Sequence, residues 1–330
     1  MIPDQWYAIL ETREIKAGHL VGITRLGEKM VVWRDSRGQV SCQADFCPHR
    51  GCAFSVGKLA NDHLQCPFHG FEYDSTGKCV LIPANGKAAP VPKALQVKTY
   101  LVREAYDFIW IWWGEPRDEY PDLPFFDDLG EEFSYTTDTA HWPVHYSRAI
   151  ENQLDVFHLP FVHNTTIGRG NRTVSSGPLV KLDGEEMDIW VYSQLDQGEV
   201  ALKPDQLPEP ARSPFLRFIF PNIWMNRISD QMRIVVAFVP IDEENTLFYL
   251  RYYQSFLRIP ILRELVNWGT KISSRVILHQ DEVVVLTQRP IKTDLKIGEK
   301  LIVQDRPIIQ YRAHRRELID QAKNRNNTGG

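Results

Sequence analysis

Two short pairs of residues carry the first chemistry of this chain: Cys47-Pro48-His49 and Cys66-Pro67-Phe68-His69. They read C-x-H, sixteen intervening residues, then C-x-x-H. A [2Fe–2S] centre with two thiolates on one iron and two imidazoles on the other needs this donor set. Each pair supplies one sulfur and one nitrogen, so two loops can grip a cluster from opposite sides. Imidazole in place of thiolate removes negative charge and raises the potential to roughly −150 to +300 mV. Zinc is the competing occupant of a two-cysteine, two-histidine set. Zinc sites ordinarily pair like with like, as C-x2-4-C and then H-x3-5-H, whereas both pairs here are mixed. Pro48, Gly51, Pro67 and Gly70 suit two tight ligand-bearing loops.

A second set follows in Glu151-Asn152-Gln153-Leu154-Asp155-Val156-Phe157-His158, with His163 beyond it. It contains imidazoles and carboxylates and no sulfur. A helix is predicted over 145–158, and its i, i+3 spacing would put Asp155 and His158 on one face. His163 lies past Pro160, on a turn or a restarted helix. Two histidines and one carboxylate form the facial triad of non-haem Fe(II) sites, which leaves positions open for O2 and substrate. The carboxylate has two candidates, Asp281 and Glu282. Ile261, Leu265, Trp268, Ile272 and Val276 recur at mostly three- and four-residue steps, predicting a long helix over 260–288. Adjacent residues on it point about 100° apart, so only one of the two acids can face a metal.

The wording CPHRG…CPFHGFEYD resembles the Rieske domain of ring-hydroxylating oxygenases, and N-x5-H-x4-H resembles their mononuclear-iron motif. QDEVVVLTQRP resembles the carboxylate-bearing helix of the dicamba monooxygenase type. The likeness, to this and the saxitoxin-biosynthesis type, extends over nearly the whole chain and is weakest from about 165 to 260. The resemblance implies a Rieske [2Fe–2S] cluster on Cys47, His49, Cys66 and His69, and Fe(II) on His158, His163 and Asp281. It also implies a homotrimer with inter-subunit electron transfer, in which Asp155 sits between His158 and His69 of a neighbouring chain. A second-sphere carboxylate of this kind commonly fixes a ligating histidine. Asn152 would lie near the iron, bonding a water or gating the open position. Cys52 stands where respiratory Rieske proteins carry a disulfide cysteine, but the expected partner position holds Phe68, so no disulfide is expected there. Cys42, Cys52 and Cys79 read as small, buried, apolar residues.

The activity implied is monooxygenation by O2, as hydroxylation or O-/N-demethylation, with arene cis-dihydroxylation as the alternative. The chain has no G-x-G-x-x-G and no C-x4-C-x2-C. NAD(P)H must therefore be oxidised by a separate reductase, or a reductase plus ferredoxin. Two further readings are an electron carrier with a degenerate second domain and a helix-grip binding protein holding zinc.

The elements that must position these residues read as an α+β chain. Residues 1–117 form a β-sandwich, with strands at 21–25, 29–34 and 108–113 separated by Gly and Asp turns. Residues 118–330 form a helix-grip, START-like domain, with strands at 187–194, 216–220, 232–239 and 246–255 and a disordered tail over 324–330. Phe157, Val162, Phe218, Phe220, Trp224, Asn226 and Tyr252 are candidate walls of an apolar pocket, suiting an aromatic or polycyclic molecule. Arg217, Arg227 and Arg251 could meet a carboxylate but form no evident cluster. Arg315, Arg316, Lys323 and Arg325 read as the solvated face of a terminal helix.

Composition fits this architecture: 330 residues, 43% hydrophobic and 24% charged, with nine tryptophans and 21 prolines. A net charge of −4 gives no reason to expect nucleic acid. No stretch approaches the roughly 20 apolar residues of a membrane helix, and Met1–Trp6 lacks the features of a signal peptide. Free thiols beside a labile cluster suit a reducing cytoplasm.

Overall fold

The structure, a computed structural model, describes residues 1–257 and 260–328. The side chains of Ile261, Leu265 and Trp268, part of the helix pattern, lie outside the described residues. The chain divides into two compact units between Glu119 and Tyr120.

The first unit contains β1 (Gln5–Glu11), β2 (Leu20–Arg25), β3 (Glu28–Arg34), β4 (Val40–Ala44), β5 (Lys58–Ala60), β6 (His63–Gln65), β7 (Glu72–Tyr73), β8 (Cys79–Leu81), β9 (Thr99–Tyr100), β10 (Val102–Ala105) and β11 (Phe108–Trp113). They form three antiparallel sheets, β1-β11-β10, β2-β3-β4-β9 and β5-β6-β7-β8. Successive side chains of a strand point to opposite faces, and β3 uses both. Met30 and Val32 enter a core with Tyr7, Ile9, Ile109 and Ile111. Val31 and Trp33 enter a second core with Phe54, Leu64, Cys47 and Cys66. One strand thus ties the sandwich to the small sheet that bears the cysteine–histidine loops.

The second unit contains β12 (Ser134–Trp142), α1 (Tyr146–Leu154), α2 (Leu159–Val162), β13 (Val174–Asp183), β14 (Glu186–Gln194), β15 (Leu216–Ile219), β16 (Ile223–Ser229), β17 (Met232–Pro240), β18 (Thr246–Gln254), α3 (Pro260–Val285) and α4 (Arg306–Thr328). The strands make one seven-stranded antiparallel sheet, β12-β18-β17-β16-β15-β14-β13. Four of these strands match sequence expectations, whereas β12, β13 and β16 were not anticipated. β13 hides because Gly177-Pro178 interrupts it, and its pairing with β14 shifts register between Ser176 and Leu179. Sequence reading takes such a pair as a strand breaker. α3 is anchored to β12 by Arg275, whose guanidinium donates to Asp138 at 2.9 and 3.1 Å.

Three expectations are corrected. The helix over 145–158 stops at Leu154 and restarts at Leu159. Pro160 cannot donate to Val156, so one unbroken helix would lose that bond and clash. The tail is helical through Thr328 as the end of α4, whose earlier turns bury Ile308, Tyr311, Leu318 and Ala322 on one stripe. Gly329 and Gly330 lie outside the described residues. Arg315 is not solvated: it is 4% exposed and donates to Tyr146 Oη at 3.0 Å and Thr293 O at 2.8 Å.

Arg315 belongs to a buried array that fixes α1. Arg312 donates to both oxygens of Glu151 at 2.8 and 2.6 Å and to Glu299 at 2.7 Å. Arg148 donates to Pro290 O at 3.0 and 2.7 Å and pairs with Glu299 at 2.8 Å. Burial acts to raise the Glu299 carboxyl, but Arg312 and Arg148 hold it below the usual carboxylate range. Buried charges are tolerated only in such fully bonded sets. Arg312→Leu should therefore cost about 3–5 kcal/mol by stranding Glu151, read as an earlier chemical-denaturation midpoint for this unit. An unchanged midpoint would show that Glu151 finds another partner.

Candidate metal centres and their pocket

The two loops of the first unit are built alike. Cys47 O accepts from Gly51 N at 2.8 Å, and Cys47 N donates to Cys52 O at 2.9 Å. Cys66 O accepts from Gly70 N at 2.9 Å, and Cys66 N donates to Phe71 O at 2.8 Å. Both glycines take positive φ, +74° and +72°, a conformation that side chains resist. The thiols of Cys47 and Cys66 are buried, whereas His49 and His69 are exposed with ring centroids 4.7 Å apart. Sulfur inside and nitrogen at the tip is the donor arrangement a two-iron cluster with mixed ligands requires. Phe71 stacks on His49 with centroids 4.6 Å apart and fixes its plane.

The Tyr73 hydroxyl lies 3.5 Å from Cys47 Sγ. Burial pushes the Cys47 thiol up, while Tyr73 and the backbone at His49 oppose that shift. Ligation would deprotonate the thiol, leaving the phenol as donor to a thiolate. Cys42 and Cys79 are buried, and Cys52 is half-buried with Sγ against Ala53 O. All five cysteines are free.

In the second unit, His158, His163 and Asp281 each present one donor atom within 4.8 Å of the others. Asp281 Oδ1 lies 3.0 Å from His163 Nε2 and 3.5 Å from His158 Nε2. It is nevertheless a buried oxygen with no hydrogen-bond partner. A carboxylate oxygen stripped of both water and donors is costly, and a cation among the three atoms would satisfy it. These residues therefore fit a metal. Gln280 Oε1 accepts from His163 Nδ1 at 2.9 Å and from Thr166 Oγ1 at 2.9 Å. With its proton on Nδ1, His163 turns the Nε2 lone pair toward Asp281. Glu282 does not join the set and lies 3.6 Å from His279.

Asp155 and His158 meet across a turn rather than on one helical face. Asp155 Oδ1 accepts from Phe157 N at 2.9 Å and His158 N at 3.1 Å, bracing the turn between α1 and α2. His158 Nδ1 is 3.4 Å from that oxygen and makes no hydrogen bond among the described residues. Gly168 closes the turn after His163, donating to His163 O at 2.9 Å. A Cβ there would stand 1.9 Å from Leu159 O, so this turn demands glycine. Sequence reading missed Gly168, Gln280 and Gln153, whose Nε2 lies 3.5 Å from Asp281 Oδ2. The adjacency of Gln153 and Gln280 to motif residues was their available signal.

A cavity of about 390 Å³ opens onto the three donors. Its sheet wall comes from one face of β16, β17 and β18: Trp224, Asn226, Ile234, Val236, Leu250 and Tyr252. Burial pushes the Tyr252 phenol up to about 12, so it stays a neutral donor. Trp224 Nε1 and Asn226 Oδ1 are buried without partners. Of the anticipated walls, Trp224, Asn226 and Tyr252 line the cavity, whereas Phe157, Val162 and Phe218 do not. The broken helix moves Phe157 off the inner face of α1, and Leu159 of α2 and His163 just beyond it line the cavity in place of Val162. Phe218, with Phe220, packs on Tyr311 of α4 at 5.5 and 5.6 Å. Asn152 lies outside the lining; its Nδ2 is buried and unbonded. Arg217 is held by Glu186, Asp188 and Asp128, and Arg251 is buried over the Tyr135 ring.

Comparison with known proteins gives two family matches: the Rieske [2Fe-2S] domain over residues 5–100, and the vanillate O-demethylase oxygenase C-terminal domain over residues 142–321. Protein TIC 55, chloroplastic, of Pisum sativum is 25% identical over 307 residues, which are 90% of this chain and 54% of that protein. The chain thus spans about half the length of this relative. NdmA of Pseudomonas putida CBB5 superposes with TM-score 0.76 at 20% identity, covering 97% of this chain and 92% of that one. Dicamba monooxygenase bound to dicamba superposes with TM-score 0.74 at 20% identity, covering 97% and 98%.

Asp281→Ala should abolish mononuclear iron binding, read as metal per chain, while Glu282→Ala keeps it; the reverse pattern would transfer the ligand role to Glu282. Tyr73→Phe should lower the cluster potential. Losing about 1 kcal/mol of differential hydrogen bonding corresponds to on the order of 40 mV for one electron, measurable by spectroelectrochemistry. An unchanged potential would mean that the phenol does not donate to the sulfur.

Proposed function

The chain belongs to the Rieske non-haem iron oxygenases, and we propose that it is the oxygenase component of a monooxygenase acting on a small molecule with an apolar, aromatic or polycyclic body. The observation that carries this reading is the orphaned Asp281 oxygen, facing two imidazoles at an apolar cavity of about 390 Å³. A volume of that order suits a small organic substrate. Cys47, Cys66, His49 and His69 would hold the cluster, and His158, His163 and Asp281 the iron. When bound, the cluster supplies single electrons and the iron supplies a redox centre with open positions for O2.

The remaining work falls to the chain itself. Gln280 keeps the His163 Nε2 lone pair directed inward. Asp155 orients His158 by accepting from the backbone of the turn that carries it. The aliphatic and aromatic wall excludes water from the reacting carbon. Trp224 Nε1 offers a donor and Asn226 Oδ1 an acceptor to polar edges of the substrate, fixing which carbon faces the metal. The balance is R–H + O2 + two electrons + two protons → R–OH + H2O, the electrons coming from NAD(P)H through a separate reductase or reductase plus ferredoxin. When the hydroxylated carbon is a methyl on oxygen or nitrogen, the product loses formaldehyde, which is demethylation. The vanillate O-demethylase name of the matched family and the dicamba monooxygenase fold support this choice over cis-dihydroxylation. We place Asp155 on the electron path, between His158 and His69 of a second chain in a homotrimer. Its half-buried carboxylate beside the unbonded His158 Nδ1 supports that role.

The test is iron and acid-labile sulfide per chain, then reductase-driven turnover under 18O2. About three irons and two sulfides, with one labelled oxygen in a hydroxylated product or formaldehyde released from a demethylated one, support monooxygenation; two labelled oxygens in a diol support the dihydroxylating alternative. Asp155→Asn should retain both metals yet slow product formation by at least tenfold. Wild-type turnover would remove Asp155 from the electron path.

A further inference from the structure

A second concavity, of about 1010 Å³, adjoins the apolar pocket. The two share Val156, Leu159, Ile167, Phe215 and Ile228 as lining. Their chemistry is opposite. The pocket is walled mainly by aliphatic and aromatic side chains, with Asp155, Asp281 and the two histidines at its metal-facing end, whereas the outer recess carries Arg169, Arg172, Arg212 and Arg227 against a single carboxylate, Asp230. That carboxylate is already paired, 2.8 Å from Arg227. Arg169, Arg172 and Arg212 have no ion-pair partner among the described residues. Arg169 Nε donates to Thr165 O at 2.6 Å, a bond that leaves its two terminal nitrogens unengaged. Arg212 lies 5.2 Å over the Tyr192 ring.

This local excess of positive charge runs against the chain as a whole, which has net charge −4. A concave site lined by one sign of charge concentrates the opposite ion. Guanidinium forks match the planar oxygens of a carboxylate or sulfonate. The arginines come from the turn after α2, the loop between β14 and β15, and β16, so nothing in the linear sequence groups them.

We propose that the substrate is an amphipathic organic anion: its apolar body occupies the inner pocket, and its carboxylate or sulfonate is held in the outer recess by Arg172 and Arg212, with Arg169 beside them. This rests on the oxygenase reading for the identity of the pocket and adds the charge of what enters it. Selectivity follows from two separate terms. Apolar burial holds the body, and the arginines discriminate against neutral analogues of the same shape. None of the three arginines is assigned to the metal sites, so their replacement should leave metal content unchanged.

The experiment uses the holoprotein and two isosteric probes, 2-naphthoate and 2-naphthamide, with binding followed by calorimetry at low and high salt without reductase. The expected result is at least tenfold tighter binding of the carboxylate at low salt, with the difference shrinking as salt rises. The double variant Arg172→Gln/Arg212→Gln should erase that preference while leaving naphthamide affinity and iron per chain as in the wild type. Equal affinity of the two probes in the wild type would overturn the proposal. So would a carboxylate preference that survives the double variant. Because binding is read without turnover, failure of oxygenation with the anion preference intact would sink the oxygenase reading alone.

Discussion

A carboxylate oxygen sealed from water and given no hydrogen-bond donor is the constraint around which the second unit is arranged. Asp281 Oδ1 is bracketed by two imidazole nitrogens and bonded to neither. Such an atom persists only if surrounding structure forces it or an ion satisfies it. The forcing is visible on each side. α3 delivers Asp281 and the neighbouring Gln280, which sets the His163 tautomer. Asp155 braces the turn that presents His158. Gly168 allows the chain to double back beneath His163.

That turn can be held still because α1, which leads into it, is pinned from behind. Glu151 and Arg148 lie on the same short helix as Gln153, and Arg312 and Glu299 close a buried charge array around them. α4 therefore does more than cover the sheet: its stripe of Tyr311 and Leu318 contributes burial, and its arginines fix the helix from which the metal-facing turn departs. In the first unit the same task is met with backbone alone. Two loops of like hydrogen bonding set buried sulfur behind exposed nitrogen, and β3 packs against two cores to hold their base.

The pocket and the recess beside it divide recognition into two physical kinds. Shape and apolar burial act at the inner wall of β16, β17 and β18, where the unbonded Trp224 Nε1 and Asn226 Oδ1 add direction. Charge acts further out, where arginines outnumber acids. Separating them keeps strong electrostatics away from the carbon to be oxidised, leaving the proposed iron as the dominant charge near it.

Much of the site was legible in the residues themselves. Cys47, His49, Cys66 and His69 are spaced by tight turns whose geometry depends on nearby glycines, so their pattern survives in one dimension. His158 and His163 are near enough in the chain for the same reason. Tertiary structure alone decided the rest. Asp281 rather than Glu282 faces the histidines because of how α3 is rotated against α2, and adjacent residues of a helix look alike in sequence. Asp155 braces a turn because Pro160 breaks the helix that simple periodicity would continue. Arg315 is buried although its neighbours suggest solvent, and Phe218 is claimed by α4 rather than by the pocket. The arginines of the recess converge from three separate segments. Local spacing encodes what short loops can hold, whereas rotation, burial and convergence depend on which faces pack together, and that is a property of the folded chain.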